Sequence, residues 1–277
     1  MHPPLKGYEL RRWLGTGGAG EVYLAYHPAT DRQVAIKFLH DAKQGQRFQN
    51  EARIQASVEH QHIAKVYDFC VELKRTYLVM EYVDGVTLHH YIRQRKYLSE
   101  VEALPLFGQV VSAVAYLHEA GIIHRDLKTD NVKITSRSEA KLLDFGIAKA
   151  SYTPRFTREG HVVGTSGYMA PEQLNGMQDS RSDCWALGVI LYEMLTGYLP
   201  FTAKKETEWQ RKIAKGEYLS PSLLNPAVSK QSQNLIQGLL QTQPAKRLSA
   251  NQVLDMITLG GAAKIKWLAG LKNLFKK

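Results

Sequence analysis

The sequence predicts an α+β protein in two lobes, a small strand-rich one followed by a larger helical one. Three observations carry this. Over residues 8–83, β-branched and aromatic runs at 21–25, 34–38, 66–69 and 76–80 alternate with turn residues, which suits short strands. Beyond residue 86 the period changes: Leu104, Phe107, Val110, Val111, Val114 and Leu117 form one helical stripe. The run from Asp183 to Thr196 is apolar nearly all round, so its helix must lie inside the protein.

Each element has its own local signal. One helical segment, about 47–58, interrupts the strands of the first lobe. Ser99-x-x-Glu102 predicts a capping box at the start of the long helix, and Gly121 is placed to end it. Pro105 inside that pattern should bend or loosen the first turns. Further helices are expected near 205–215, 229–242 and 249–258.

Composition narrows the function classes. With 277 residues, 44% hydrophobic and 22% charged, the chain reads as globular. Cys70 and Cys184 are far apart and give neither metal-ligand spacing nor a disulfide framework, so a reducing, cytoplasmic setting is expected. The opening Met1-His2-Pro3-Pro4 lacks the pattern of a signal peptide. No run reaches the ~18 apolar residues of a membrane span. The net charge is +10, but Lys264, Lys266, Lys272, Lys276 and Lys277 supply half of it from the last fourteen residues. The remainder is too mild to indicate nucleic acid, and no interleaved basic and aromatic motif suggests RNA.

The chemistry begins at Gly15-Thr16-Gly17-Gly18-Ala19-Gly20-Glu21-Val22, a G-x-G-x-x-G-x-V string. Glycines there let backbone N–H groups approach phosphate oxygens. Dinucleotide-binding folds use a similar string, but they follow it with a helix, whereas strands flank this one. Val34-Ala35-Ile36-Lys37 then sets a lysine in a strand. His124-Arg125-Asp126-Leu127-Lys128-Thr129-Asp130-Asn131 follows the long helix, and Asp144-Phe145-Gly146 and Ala170-Pro171-Glu172 come after it in order.

Five ordered motifs at these spacings make residues 8–258 resemble the eukaryotic-like (Hanks-type) serine/threonine protein kinases, with a bacterial flavour in the glycine loop. The resemblance implies the bilobal kinase fold, with an N-lobe at about 8–83, one regulatory helix, a C-lobe at about 84–258 and a tail at 259–277. It implies ATP and Mg2+ as cofactors, with Mn2+ as an alternative ion, and protein substrates rather than nucleic acid.

Residue roles follow the same pattern. Phosphoryl transfer rests on alignment and charge neutralisation. Lys37 would hold the α- and β-phosphates, paired with Glu51; Glu59 is the rival partner. Asp126 would accept or orient the substrate hydroxyl's proton, and Lys128 would neutralise the moving phosphoryl group. Asn131 and Asp144 would bind metal. Gly15, Thr16, Gly17, Gly18, Ala19 and Gly20 would cover the phosphates. Val22 and Ala35 would roof the adenine, Glu81 C=O and Val83 N–H would bond its edge, and Met80 would set the pocket depth. Lysine after Asp126-Leu127, together with Gly164-Thr165-Ser166-Gly167-Tyr168, matches the serine/threonine form, in which Thr165 bonds Asp126 and Lys128. Asp183 resembles the aspartate that holds the catalytic loop, and Arg247 the buried partner of Glu172.

Control is expected through a phosphorylated loop residue. Thr157 is preferred over Thr153 and Ser151, with Arg125 and Lys149 as its cationic pocket. Departures from the pattern bear on the mechanism. Gly18 and Ala19 leave the loop tip small. Gln55 is polar where a hydrophobic residue is usual, so activation through a partner or homodimer is expected to matter. Lys133 falls at the adenine floor, where only its stem can pack while the ammonium reaches outward. The tail 260–277 has a basic amphipathic pattern, open to peripheral membrane contact, docking on the C-lobe or a free basic end. A pseudokinase-type binding module and a small-molecule phosphotransferase are the competing functions; Lys37, Asp126, Asn131 and Asp144 argue against the first, and the substrate-docking segment Gly164–Glu172 with Asp183-x-Trp185 against the second.

Overall fold

The structure is a computed structural model, and it describes residues 5, 7–17, 20–39, 52, 54–72, 75–143 and 164–261. The first lobe is a five-stranded antiparallel sheet in the order β1-β2-β3-β5-β4. Its strands are β1 (Glu9–Gly17), β2 (Gly20–His27), β3 (Arg32–Leu39), β4 (Val66–Glu72) and β5 (Arg75–Glu81). The expected strand runs all fall within these elements. β3 is central, pairing Lys37 with Val22 on one side and with Leu78 on the other. One face packs Ala25, Val34, Ile36, Phe38, Tyr77 and Val79. The other packs Ala35, Ala52, Val66, Leu78 and Met80, with Val22 and Phe69 against them.

Residues 54–56 are helical and lie within the segment expected at 47–58. Gln55, just 4% exposed, leaves its amide nitrogen without a hydrogen-bond partner among the described residues. A buried, unsatisfied amide group costs ~1–3 kcal/mol. Gln55→Leu keeps the bulk and removes that cost, so its thermal midpoint is expected to rise by roughly 2–6 °C. A melting curve at or below the wild-type value would show that the amide is satisfied in solution.

The second lobe opens with a small sheet, β6 (Val86–Thr87), β7 (Val132–Ile134) and β8 (Ala140–Leu142), in that order. Its helices are α1 (Leu88–Arg95), α2 (Glu100–Glu119), α3 (Ser180–Thr196), α4 (Glu206–Lys215), α5 (Pro221–Leu224), α6 (Lys230–Leu239) and α7 (Ala250–Gly261). α3 is the axis. All its residues from Ser182 to Thr196 are buried, as the all-round apolar run requires. Asp179 caps it by accepting from the N–H groups of Arg181 and Ser182. Gly188 lets α6 pack closely: a Cβ there would stand 2.8 Å from Leu239 Cβ.

α2 passes the length and composition test for a membrane span, but nine of its residues are buried in this lobe's core. Its start corrects one expectation. Ser99 is the N-cap residue, yet its side chain makes no capping bond. Glu102 instead accepts from the Tyr91 hydroxyl at 2.7 Å and pairs with Arg95 at 3.1 Å. Pro105 sits within the helix without ending it. The N–H it lacks deprives the carbonyl four residues back, that of exposed Val101, of its helical donor. Gly121, at φ 71, closes the helix, and Ile122 N–H reaches back to Leu117 C=O.

The segment 60–64 fastens the two lobes. His62 N–H donates to His60 Nδ1 at 3.1 Å, so that nitrogen is the acceptor and Nε2 carries the proton 3.2 Å from Ser112 Oγ on α2. The Leu142 and Ala64 amides exchange bonds with His62 C=O and Leu142 C=O. His60 is therefore held neutral. Burial first, then the neighbouring His62 and Lys141, bring its pKa down to about 4. The sign follows. The unfolded chain takes up this proton near the ordinary value of 6.5, whereas the folded chain resists until about 4. Stability is complete above 6.5 and falls as the pH drops, by on the order of 1 kcal/mol per pH unit in that window. His60→Asn keeps an acceptor and cannot titrate. The gap between wild-type and variant melting temperatures should narrow from pH 7 to pH 4. A gap independent of pH would place the proton elsewhere.

Candidate active site

The glycine-rich string is a hairpin between strands. Gly17 pairs with Gly20 at its base, which separates it from the strand–helix turn of dinucleotide folds. Gly20 is demanded by contact: a Cβ would meet the Phe38 carbonyl oxygen at 1.8 Å. Gly15, Thr16, Gly17 and Gly20 line this hairpin, while Gly18 and Ala19 lie outside the described residues. Below it, Ala35 pairs with Met80 and Val34 with Glu81, so the roof and the inner wall of the cleft are neighbours in one sheet. Lys37 is 7% exposed on β3, on the same strand as Ala35.

The loop 124–131 belongs to the helical lobe. Asp183 of α3 fixes it, accepting from His124 N–H at 2.8 Å and from Arg125 N–H at 3.0 Å. His118 Nε2 adds a third contact to the same carboxylate at 2.9 Å. These bonds hold Arg125 at φ 69, a left-handed conformation that non-glycine residues rarely adopt. The turn at Arg125 aims the next side chain. Asp126 N–H donates to His124 Nδ1 at 3.2 Å, which leaves the proton on Nε2, 3.1 Å from Leu143 C=O. A neutral histidine thus ties the loop to the strand end that leads towards Asp144.

Three predicted groups meet on this loop. Asn131 Nδ2 donates to Asp126 C=O at 2.7 Å and to Asp126 Oδ2 at 3.1 Å, and Lys128 Nζ lies 3.4 Å from the same Oδ2. With its amide nitrogen committed to Asp126, Asn131 keeps its carbonyl oxygen as the end able to hold a hard cation. That donor chemistry fits a hard divalent cation. Glu51, Asp144, Lys149, Ser151, Thr153 and Thr157 lie outside the described residues, as do tail residues 262–277. The backbone of Thr165 lies in the short 3-10 turn Gly164–Tyr168. Glu59, the rival partner for Lys37, is instead on the surface, 2.8 Å from Lys65.

The end of β5 and the residues just after it carry the expected base-binding groups. Glu81 C=O and Val83 N–H lie there, with Val83 buried. The Glu81 carboxylate turns back to Lys141 at 2.9 Å and to the Lys65 amide at 3.1 Å. Lys133 corrects its expectation. Its ammonium does not reach out to solvent but donates to Val83 C=O at 2.9 Å. Burial draws its pKa below the ordinary lysine value, against the pull of Asp84 and with the push of Arg12.

Four residues near the docking segment had no role assigned from the sequence, although Thr129 and Tyr168 lie within its motifs. The Tyr168 hydroxyl donates to Glu193 Oε2, and Thr129 Oγ1 lies 2.6 Å from that hydroxyl and 3.1 Å from the carboxylate. His89 Nδ1 stands 3.2 Å from Glu193 Oε1, and this bond raises the histidine's pKa. Burial, then Glu193, lifts Tyr168 well above its usual value. The network joins the docking segment, the loop and α3. Its signal was present: a glutamate inside an apolar helix needs partners.

Comparison with known proteins agrees with this arrangement. A family model described as "Protein kinase domain" matches residues 8–257. The chain is 37% identical over 254 residues to the serine/threonine-protein kinase PrkC of Bacillus subtilis, covering 90% of this chain and 39% of that protein. It is 35% identical over 273 residues to the maternal embryonic leucine zipper kinase of Xenopus tropicalis, covering 95% and 41%. It is also 35% identical over 254 residues to CBL-interacting protein kinase 17 of Oryza sativa, covering 88% and 55%. The chain therefore spans between about two fifths and just over half of these relatives. A kinase-family match over nearly the whole chain, on a fold that gathers Asp126, Lys128 and Asn131 on one loop and sets Lys37 on the central strand of the sheet, places the chain in the protein kinase family.

Proposed function

We propose that this chain is an ATP-dependent protein kinase that phosphorylates serine and threonine hydroxyls of other proteins. The observation that carries the reading is the cluster of Asp126, Lys128 and Asn131 on a loop pinned by Asp183. ATP with a divalent cation, Mg2+ first and Mn2+ as the alternative, would supply the transferable phosphoryl group and offset its charge. Asn131 and Asp144 would hold that cation. Asp126 orients the substrate hydroxyl and takes its proton, and Lys128 sets a positive charge beside the same oxygen. Lys37, buried in the sheet above, positions the phosphates, with Glu51 as its partner. Thr165 would complete the loop's contacts with the docking segment, and autophosphorylation at Thr157, Thr153 or Ser151 would order that segment. The catalytic domain would comprise residues 8–258, with 259–277 as a basic tail.

Lys37, Asp126, Asn131 and Asp144 are all present, which speaks against a binding module without turnover. The test is incubation with radiolabelled ATP, Mg2+ and a generic basic protein, followed by phosphoamino-acid analysis. Label on serine and threonine is expected. Label on tyrosine alone, or none after prior loop phosphorylation, would overturn the reading.

A further inference from the structure

Two lysines oppose each other across the β7–β8 hairpin, since Lys133 pairs in register with Lys141. Like charges directly opposite on a sheet face are unfavourable, so each ammonium gains from an acceptor of its own. Both find one in the segment that ends β5. Lys141 Nζ lies 2.9 Å from Glu81 Oε1, and Lys133 Nζ donates to Val83 C=O at 2.9 Å. Lys133 Nζ also stands 5.6 Å from the centroid of the Tyr82 ring, within cation–π range. Val132 and Ile134 are buried in the core of the helical lobe. Alternation along the strand therefore turns Lys133 to the other side, towards the segment above.

We propose that Lys133 sets purine specificity: by occupying the Val83 carbonyl, its ammonium turns away bases that carry an N–H donor at the 2-position. The inference rests on the kinase reading, with the base lying along residues 81–83. A purine edge presents in order the C6 substituent, N1 and the C2 substituent. The segment offers in order Glu81 C=O, Val83 N–H and Val83 C=O. Adenine's 6-amino donor and N1 acceptor use the first two, and its C2 carries only hydrogen. Guanine or 2,6-diaminopurine brings an amino group to the third. That carbonyl already accepts from a cation. A second N–H dipole would approach its remaining lone pair beside like-signed charge.

The test compares kcat/KM for ATP and for 2,6-diaminopurine riboside triphosphate in the wild type, Lys133→Leu and Lys133→Arg. Displacement of a fluorescent ATP analogue by the two nucleotides measures binding alone. The wild type should prefer ATP, and Lys133→Leu should shrink that preference about tenfold, the size of one hydrogen bond to a charged group, mostly through KM. Lys133→Arg retains a donor and should retain the preference; Lys133→Met carries the same expectation as leucine should that variant fail to fold. An unchanged ratio in the apolar variants, by kinetics or by displacement, overturns the proposal. If the wild type binds both nucleotides but transfers no phosphate, the kinase reading fails while the displacement ratio still judges Lys133. If it binds neither, both fail.

Discussion

Replacing Asp126 by asparagine is expected to lower kcat by about 10²–10⁴-fold, the contribution of a positioned general base. The substitution is nearly isosteric. The Asn131 amide keeps its bond to the residue 126 backbone carbonyl, because that 2.7 Å contact does not involve the side chain. The Asp183 clamp on His124 and Arg125 also survives, so the loop retains its path. What disappears is the anionic oxygen shared by Asn131 Nδ2 and Lys128 Nζ. The loss should therefore appear in kcat, with nucleotide binding and melting temperature close to wild type. Steady-state kinetics with a fixed protein substrate, alongside a thermal melt, check both halves. A kcat within tenfold of wild type would move the base to another residue. A collapse in melting temperature would instead give Asp126 a structural role.

The residues that could be read from the sequence are those whose chemistry is local. Strand runs and the apolar stripe of α2 depend on near neighbours, and the motifs around Lys37 and Asp126 depend on order along the chain. Contacts made across the fold were harder to read. Ser99 and Glu102 have the spacing of a capping box, but Tyr91 and Arg95, brought close by the α1–α2 turn, outcompete the backbone for Glu102. α1 itself was missed because Leu88–Arg95 is short and polar and buries only Leu88 and Ile92. Its start signal is a single Thr87 side chain accepting from His90 N–H. Lys133 could be placed at the adenine floor from the family pattern, but its acceptor lies 50 residues away, and no spacing rule points to it. Asp183 was legible as a clamp, whereas its third contact, to His118 on α2, was not.

Removing one partner of the Glu172–Arg247 pair is expected to cost about 3–5 kcal/mol, because it strands the other charge in the core. Arg247 is 1% exposed, and its guanidinium meets both carboxylate oxygens, at 2.7 and 2.9 Å. Its Nε donates to Gln241 C=O, Ser182 Oγ donates to Glu172 Oε1, and the guanidinium lies 5.1 Å from the centroid of the Trp185 ring. Burial works to raise the Glu172 pKa, but the bonds from Arg247 outweigh it and hold the carboxyl below its ordinary range. The carboxylate is thus ionised in the folded state, and its contribution to stability is present above about 4.5 and lost as the pH falls. Arg247→Ala and Glu172→Ala should each lower the melting temperature by roughly 10 °C. Glu172→Gln combined with Arg247→Met removes both charges and keeps the volume, so it should lose less than the two alanine changes added together. Because Glu172 ends the docking segment and Arg247 anchors it to α3, kcat should fall with stability in the single variants and recover in part in the double one. Denaturant titration of the four proteins decides this. Single variants costing less than about 1 kcal/mol would mean that water reaches the pair, as at a surface ion pair.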